Sequence, residues 1–268
     1  IRGASSWVQY DSARGGLPGH GSALAAEWHL GQGGAMIRAL LFDKDGTLFH
    51  YERTWGAWGA AVILDLASGD AELAGRMAEA VGFDLPTQTF RAGSLIVGGS
   101  AGEVNAALAD QAPGLTAQDV DRVARHHLTT VPNEPVCDLP VLFSALRDAG
   151  YALGIATNDY ETVAHQQLAA AGITGHFSFV CGYDSGFGAK PGPGMVEGFA
   201  AHLGLPLESV AMVGDSTHDL RAGRAARAGL TVAVLTGPAD RGDLVDFADH
   251  VIEDISELPA LLDGLSKG

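Results

Sequence analysis

Basic residues are scarce in this chain. Lysine and arginine total 16 against 32 aspartates and glutamates in 268 residues, a formal net charge of −16. That deficit argues against nonspecific binding to nucleic acid or to an anionic membrane, since both need positive surface. Cysteine is almost absent. Cys137 and Cys181 are too few for a disulfide scaffold and lack metal-ligand spacing, so a reducing, cytoplasmic setting is expected. Long apolar runs are missing too: the best candidate, 55–64, is too short to span a bilayer and is interrupted by Gly56 and Gly59. What remains is an ordinary globular composition, 47% hydrophobic and 18% charged, enough for one large domain or two modest ones.

The first 35 residues are glycine-rich and show no sustained periodicity, and no cationic start followed by an apolar stretch marks a secretory signal. Met36 immediately precedes a strong strand pattern, so the native fold is expected to begin there, with 1–35 a leader outside it. That leader carries Arg2, Arg14, Asp11 and Glu27, so the whole acidic excess falls on the residues from Met36 onward.

From there, short apolar runs alternate with helical spacing. Strands are expected over 37–42, 152–156, 177–181, 210–213 and 231–235, and helices over 161–171 and 217–228. This is the pattern of βαβ units in a parallel sheet covered on both faces, which explains near-continuous rather than alternating apolar strands. One interval breaks the rhythm. Residues between the first strand and Asp138 show helical spacing, over 52–67, 71–81, 102–110 and 117–128, with no convincing strand. Thr116 is placed to cap the last of these, with Asp119 in its first turn complementing the helix dipole. The region 132–135, bounded by prolines, reads as a hinge. The expected fold is therefore α/β: a Rossmann-like, doubly wound parallel sheet with a helical cap inserted after the first strand. The core is 36–50 with 132–268, and the cap is 51–131.

Four polar clusters lie at or near the carboxyl ends of these strands, where open parallel sheets place their ligands. In Asp43-Lys44-Asp45-Gly46-Thr47, two carboxylates share one strand-exit turn. They could hold a hard cation and divide the work of nucleophile and proton carrier. A calcium loop is excluded, because the position that needs glycine holds Leu48; a solvated Asp-Gly turn stays open. Thr157-Asn158 offers a hydroxyl and amides to an anion near a helix start, or ordinary N-cap chemistry. Lys190, followed by Pro191-Gly192-Pro193, is a fixed point charge for phosphate oxygens or a solvated loop lysine. Gly214-Asp215 and Asp219 place two further carboxylates at the start of a helix, suited to a metal or to capping.

The order and placement of the four together resemble the haloacid dehalogenase-like hydrolase superfamily, over residues 42–219. The insertion after the first motif is similar to the helical cap of phosphoglycolate phosphatases and β-phosphoglucomutases. The resemblance implies that Asp43 attacks phosphorus to give an aspartyl phosphate and that Asp45 acts as general acid and then base. It implies Mg²⁺ on Asp43, the backbone carbonyl of Asp45 and Asp215, with Asp219 in support. It also implies that Thr157, Lys190 and amides near Gly46 and Asn158 bind the phosphoryl oxygens. Within that resemblance, the second aspartate, Asp45, implies phosphate chemistry rather than dehalogenation.

The expected activity is thus Mg²⁺-dependent hydrolysis of a small phosphorylated metabolite, phosphoglycolate phosphatase-like. The alternatives are a β-phosphoglucomutase-type phosphotransferase and a non-catalytic binding module on the same fold. Neither nucleic acid nor membrane is an expected partner. Substrate choice is assigned to the start of the cap, at His50, Tyr51 and Arg53. Arg53 could pair with a substrate carboxylate, though a surface arginine is the plainer reading. The acidic residue usual after the first motif of phosphoglycolate phosphatases is replaced by His50-Tyr51. Trp55 and Trp58, three apart on one helix face, read first as core packing and second as a substrate wall. His126 and His127 suit a helix C-terminus.

Overall fold

The computed structural model describes residues 29–30, 36–91, 93–98, 101–128 and 133–265. Two strands open the described chain, β1 (His29–Leu30) and β2 (Met36–Ile37), paired antiparallel. The rest of the expected leader lies outside the described residues. Next comes β3 (Ala39–Phe42), four apolar residues buried on both sides.

A helical unit follows: α1 (Tyr51–Ala67), α2 (Ala71–Ala80), a small hairpin of β4 (Phe83–Asp84) and β5 (Thr89–Phe90), α3 (Leu95–Gly98), α4 (Ala101–Ala109) and α5 (Ala117–Leu128). The hairpin corrects the expectation of an insertion without strands. Its strands are two residues each, below the length at which alternation can be read. The turn is held by Asp84, whose carboxylate accepts from the amide and hydroxyl of Thr87. Asp70 caps α2 by accepting from the amides of Glu72 and Leu73. Thr116 and Asp119 cap α5 reciprocally, as their spacing predicts. This unit has its own apolar centre of Val62, Ile63, Met77, Phe83, Leu108 and Val120.

The chain then completes the sheet through α6 (Leu139–Asp148), β6 (Ala152–Ala156), α7 (Glu161–Ala170), β7 (Phe179–Cys181), α8 (Gly194–Leu203), β8 (Val210–Gly214), α9 (Thr217–Ala226), β9 (Leu230–Val234), α10 (Arg241–Leu244), β10 (His250–Ile252) and α11 (Leu258–Leu265). The six core strands run parallel in the order β10-β9-β8-β3-β6-β7. β10 is an addition to the five expected strands. It is a three-residue edge strand between Asp249 and Glu253, with no apolar run to announce it.

The side chains of β3 divide between the two faces. Leu40 and Phe42 pack with Phe143, Leu258 and Leu262, while Ala39 and Leu41 pack with Met195, Phe199 and Ala222. Both faces are therefore covered by helices, as a doubly wound sheet requires. The register sets up the site. Phe42 lies between Ile155 of β6 and Val213 of β8. Asp43 consequently emerges level with the ends of both neighbours, with Thr157 and Asp215 one residue beyond. The strand order reverses at β3, which makes this the crevice where such sheets bind ligands.

The chain leaves and re-enters the core side by side. The amide of His50 donates to Glu134 O (2.9 Å) and that of Val136 to Leu48 O (3.0 Å). No helix among the described residues is long and apolar enough to cross a membrane.

Candidate active site

The strand-exit motifs converge. Oxygen atoms of Asp43, Asp215 and Asp219 lie within 4.8 Å of one another, and all three residues are buried. Lys190 reaches into this cluster from its loop. Its Nζ lies 2.5 Å from Asp43 Oδ1 and 2.6 Å from Asp219 Oδ1, and donates to Ala156 O at 2.8 Å. The lysine backbone is clamped by Asn158, whose side-chain amide donates to Lys190 O (2.9 Å) and whose Oδ1 accepts from Lys190 N (2.8 Å). A flexible side chain is thereby fixed at both ends.

Burial dominates the electrostatics. It pushes the Asp43 carboxyl up to about 6, against the pull of the Lys190 charge. Burial, followed by the charges of Asp43 and Asp219, drives Asp215 well above the ordinary carboxylate range. Burial also opposes the charge on Lys190, but Asp219 and Asp43 outweigh it and raise the ammonium. Three buried carboxylates and one ammonium make an unbalanced set, which is costly unless a further cation joins it. Hard oxygen donors around such an excess fit a hard divalent cation.

Close packing explains the glycines. Gly46 has φ +81°, and a Cβ there or at Gly237 would collide with the Asp215 carboxylate. The amide of Gly46 is spent on Phe49 O (2.8 Å), and its carbonyl accepts from the Thr236 hydroxyl (2.5 Å). Gly46 therefore serves by shape, not as an anion donor. Thr157 is buried; its amide donates to Cys181 O, and its Oγ1 accepts from Asp159 N (3.1 Å), which leaves the hydroxyl proton to donate. Asp219 caps its own helix, accepting from the amide and hydroxyl of Ser216 at 3.0 and 2.6 Å.

Asp45 stands apart from the three-carboxylate cluster. Its Oδ2 lies 2.7 Å from Nζ of Lys44, while its buried Oδ1 has no hydrogen-bond partner among the described residues. Lys44 is the residue that motif reading passed over. It is fully buried and also contacts Asp159 (3.4 Å) and Gln167. Its pairing with neighbouring Asp45 is local, but its burial has no local signal, because its other partners come from a turn and a helix more than a hundred positions away. Thr236 and Gly237 likewise reach the site from beyond the end of β9, where no motif marks them. Thr47 donates to Asp215 Oδ1 at 3.3 Å.

A cavity of about 1040 Å³ opens over these groups, between the sheet ends and the helical unit. Tyr51, Trp55 and Trp58 line it, so the two tryptophans form a wall, and Trp58 also packs against the helical unit's core. Of the residues expected to choose substrate, only Tyr51 reaches the cavity. His50 precedes α1, and Arg53 forms an exposed ion pair with Glu134. His127 pairs with Asp65 at 3.0 Å.

Comparison with known proteins agrees with this geometry. The family model for haloacid dehalogenase-like hydrolases matches residues 37–227. A pyrophosphatase PpaX of Oceanobacillus iheyensis is 34% identical over 42% of this chain and 53% of its own length. A phosphoglycolate phosphatase of Neisseria meningitidis is 34% identical over 43% of this chain and 48% of its own length. The chain thus spans about half the length of these curated relatives. Among solved structures, a HAD family hydrolase of Deinococcus radiodurans with bound phosphate and sodium superposes with TM-score 0.64 at 24% identity, covering 85% of this chain and 96% of that one. A subfamily IA hydrolase of Geobacter sulfurreducens gives 0.60 at 19% identity, over 84% and 96%. The chain belongs to the haloacid dehalogenase-like hydrolase family.

Proposed function

We propose that this chain is a Mg²⁺-dependent phosphomonoester hydrolase that works through an aspartyl phosphate. The observation that carries the reading is the convergence of Asp43, Asp215 and Asp219 with Lys190 at the switch point of the sheet. In this reading residues 36–50 and 132–268 supply the chemistry, and residues 51–131 act as a cap over the leaving group.

Asp43 attacks phosphorus; its oxygen bonds to phosphorus as the bond to the leaving oxygen breaks. Asp45 gives that oxygen its proton. Asp45 then takes a proton from the water that attacks the phosphoryl-aspartate, and inorganic phosphate leaves. Lys190 orients the Asp43 carboxylate, and with the Thr157 hydroxyl it donates to the phosphoryl oxygens. These donors are fixed before reaction, which is where electrostatic catalysis gains most. Asp43, Asp215 and the Asp45 carbonyl, supported by Asp219, would hold Mg²⁺, which would supply positive charge against the phosphoryl oxygens. Lys44, 2.7 Å from Asp45 Oδ2, holds the proton carrier in place.

The test is phosphate release from an alkyl phosphate monoester. Release is expected with Mg²⁺, to stop with chelator, and to fall by about 10⁴-fold or more in Asp43→Asn. Undiminished turnover in that variant removes Asp43 as nucleophile, and turnover in excess chelator removes the metal.

A further inference from the structure

The cap side of the cavity carries information about the leaving group. A two-carbon acid would occupy a small part of 1040 Å³, a volume at the upper end of pockets that enclose drug-sized ligands. Its charges are also already committed. The permanent cations on the wall are Lys190, held by Asp43 and Asp219, and Arg125, paired with Asp121 at 2.8 Å; among the described residues His218 is the one further basic side chain lining it. Asp45 and Asp159 also face the cavity. An anionic leaving group, a carboxylate or a second phosphate, would find among the described residues more acids than unpaired cations.

Aromatic surface is what the wall offers instead. Tyr51, Trp55 and Trp58 follow one another along α1, with ring centroids 6.3 Å apart for Tyr51 and Trp55 and 5.3 Å for Trp55 and Trp58. The indole N–H of Trp58 is spent on Ala124 O (3.1 Å). That of Trp55 is buried with no acceptor among the described residues, an arrangement that costs free energy unless something else accepts it. Val97, Val104 and Leu128 extend the apolar surface, and Asn105 and Asn133 add uncharged polar groups.

We infer that the site takes phosphate monoesters of uncharged alcohols bearing a flat aromatic ring, which packs against Trp55 and Trp58. This rests on the phosphatase reading for its reaction, but it can be tested without turnover. The probes are three non-hydrolysable phosphonates titrated by calorimetry in the presence of Mg²⁺: 3-phenylpropylphosphonate, propylphosphonate and 3-phosphonopropionate. The ring compound is expected to bind about tenfold or more tightly than propylphosphonate, and the carboxylate compound no better than propylphosphonate.

Trp55→Ala is expected to abolish most of the ring's advantage, and Trp55→Phe to retain much of it. Equal binding of ring and chain, tightest binding of the carboxylate compound, or an undiminished advantage in Trp55→Ala would each overturn the inference. Hydrolysis of the matching esters, 2-phenylethyl, ethyl and carboxymethyl phosphate, decides the phosphatase reading separately. If none is cleaved while ring selectivity in binding persists, the reaction is wrong and the pocket assignment stands. Cleavage of all three at one rate, with equal phosphonate binding, leaves the reaction standing and removes the inference.

Discussion

The two walls of the cavity are built on opposite principles. On the sheet side, buried charges are held within 4.8 Å of one another by strand ends whose register places Asp43 between β6 and β8. On the cap side, half-buried aromatic and aliphatic side chains project from helices, and the charges there are paired off. The first wall tolerates little variation, since each carboxylate depends on its neighbours' charge. The second is an apolar surface whose members contribute roughly by area. Under the proposed function, the difference separates what is done to phosphorus from what is accepted as a leaving group.

Lys190 gives the sharpest way to break that contrast. Lys190→Met leaves Asp43, Asp215 and Asp219 buried without their ammonium. Removing one partner of a buried ionic set costs about 3–5 kcal/mol, and loss of a preorganised phosphate donor costs about 10²–10³ in kcat. Denaturant midpoint and turnover are both expected to fall. Added Mg²⁺ is expected to restore part of the stability, since cation binding to the native cluster stabilises it by mass action. A variant as stable as the parent would show that the sheet-side wall is no more interdependent than the cap side.

A matched pair of truncations compares the two units themselves. Phe143 in the core is fully buried against Phe42 and Phe177, with centroids at 5.4 and 4.9 Å. Phe83 in the cap is equally buried, against Phe90 at 5.4 Å. Each Phe→Ala change is expected to cost about 3–5 kcal/mol. The separate apolar centres predict different places for that loss. By hydrogen exchange, Phe143→Ala is expected to release amides of the sheet, and Phe83→Ala amides of α1, α2 and α4, with β3, β6 and β8 still protected. Identical exchange patterns would mean that cap and core open as one cooperative unit.

How much of this was legible in the sequence follows the same division. Much of the sheet-side wall could be read because Asp43, Thr157 and Asp215 each sit immediately after a short apolar strand, whereas Lys190 comes from the loop beyond β7. Asp43, Thr157 and Asp215 need only the rule that parallel sheets bind at their carboxyl ends. The cap wall could not be read in that way. Its members come from α1, α3, α4 and α5, with α7 of the core across the cavity, and no spacing within one segment brings Trp55 near Asn105 or Gln167. Trp55 and Trp58 gave only a helix face, and a helix face can look inward to a core or outward to a cavity. Lys44 shows the same limit inside a motif. Its position between two aspartates was visible, but its burial against Asp159 and Gln167 depends on how α7 packs. The edge strand β10 and the hairpin β4–β5 escaped notice because each is too short to show a period.

The cysteines supply the smallest predicted effect, and one that reports on the core alone, since both lie outside the cap at positions 137 and 181. Burial pushes Cys137 up to about 11 and Cys181 up to about 12. Reaction with an alkylating agent needs the thiolate, which at pH 8 is about one part in a thousand for a group of pKa 11. Slow labelling of the native protein is expected, with a large acceleration in urea. The same shifts carry a stability consequence. A thiol that holds its proton more tightly when folded favours the folded state at any pH below its unfolded value, near 9 for both cysteines. That contribution is lost as pH rises from there through 11 and 12. Cys181→Ala is therefore expected to flatten the alkaline fall in denaturant midpoint slightly, because Cys181 is fully buried at the end of β7. Rapid native labelling of Cys181 at pH 8 would instead show that the sheet edge at the end of β7 opens readily, and that the sheet-side wall is not held as tightly as its paired charges imply.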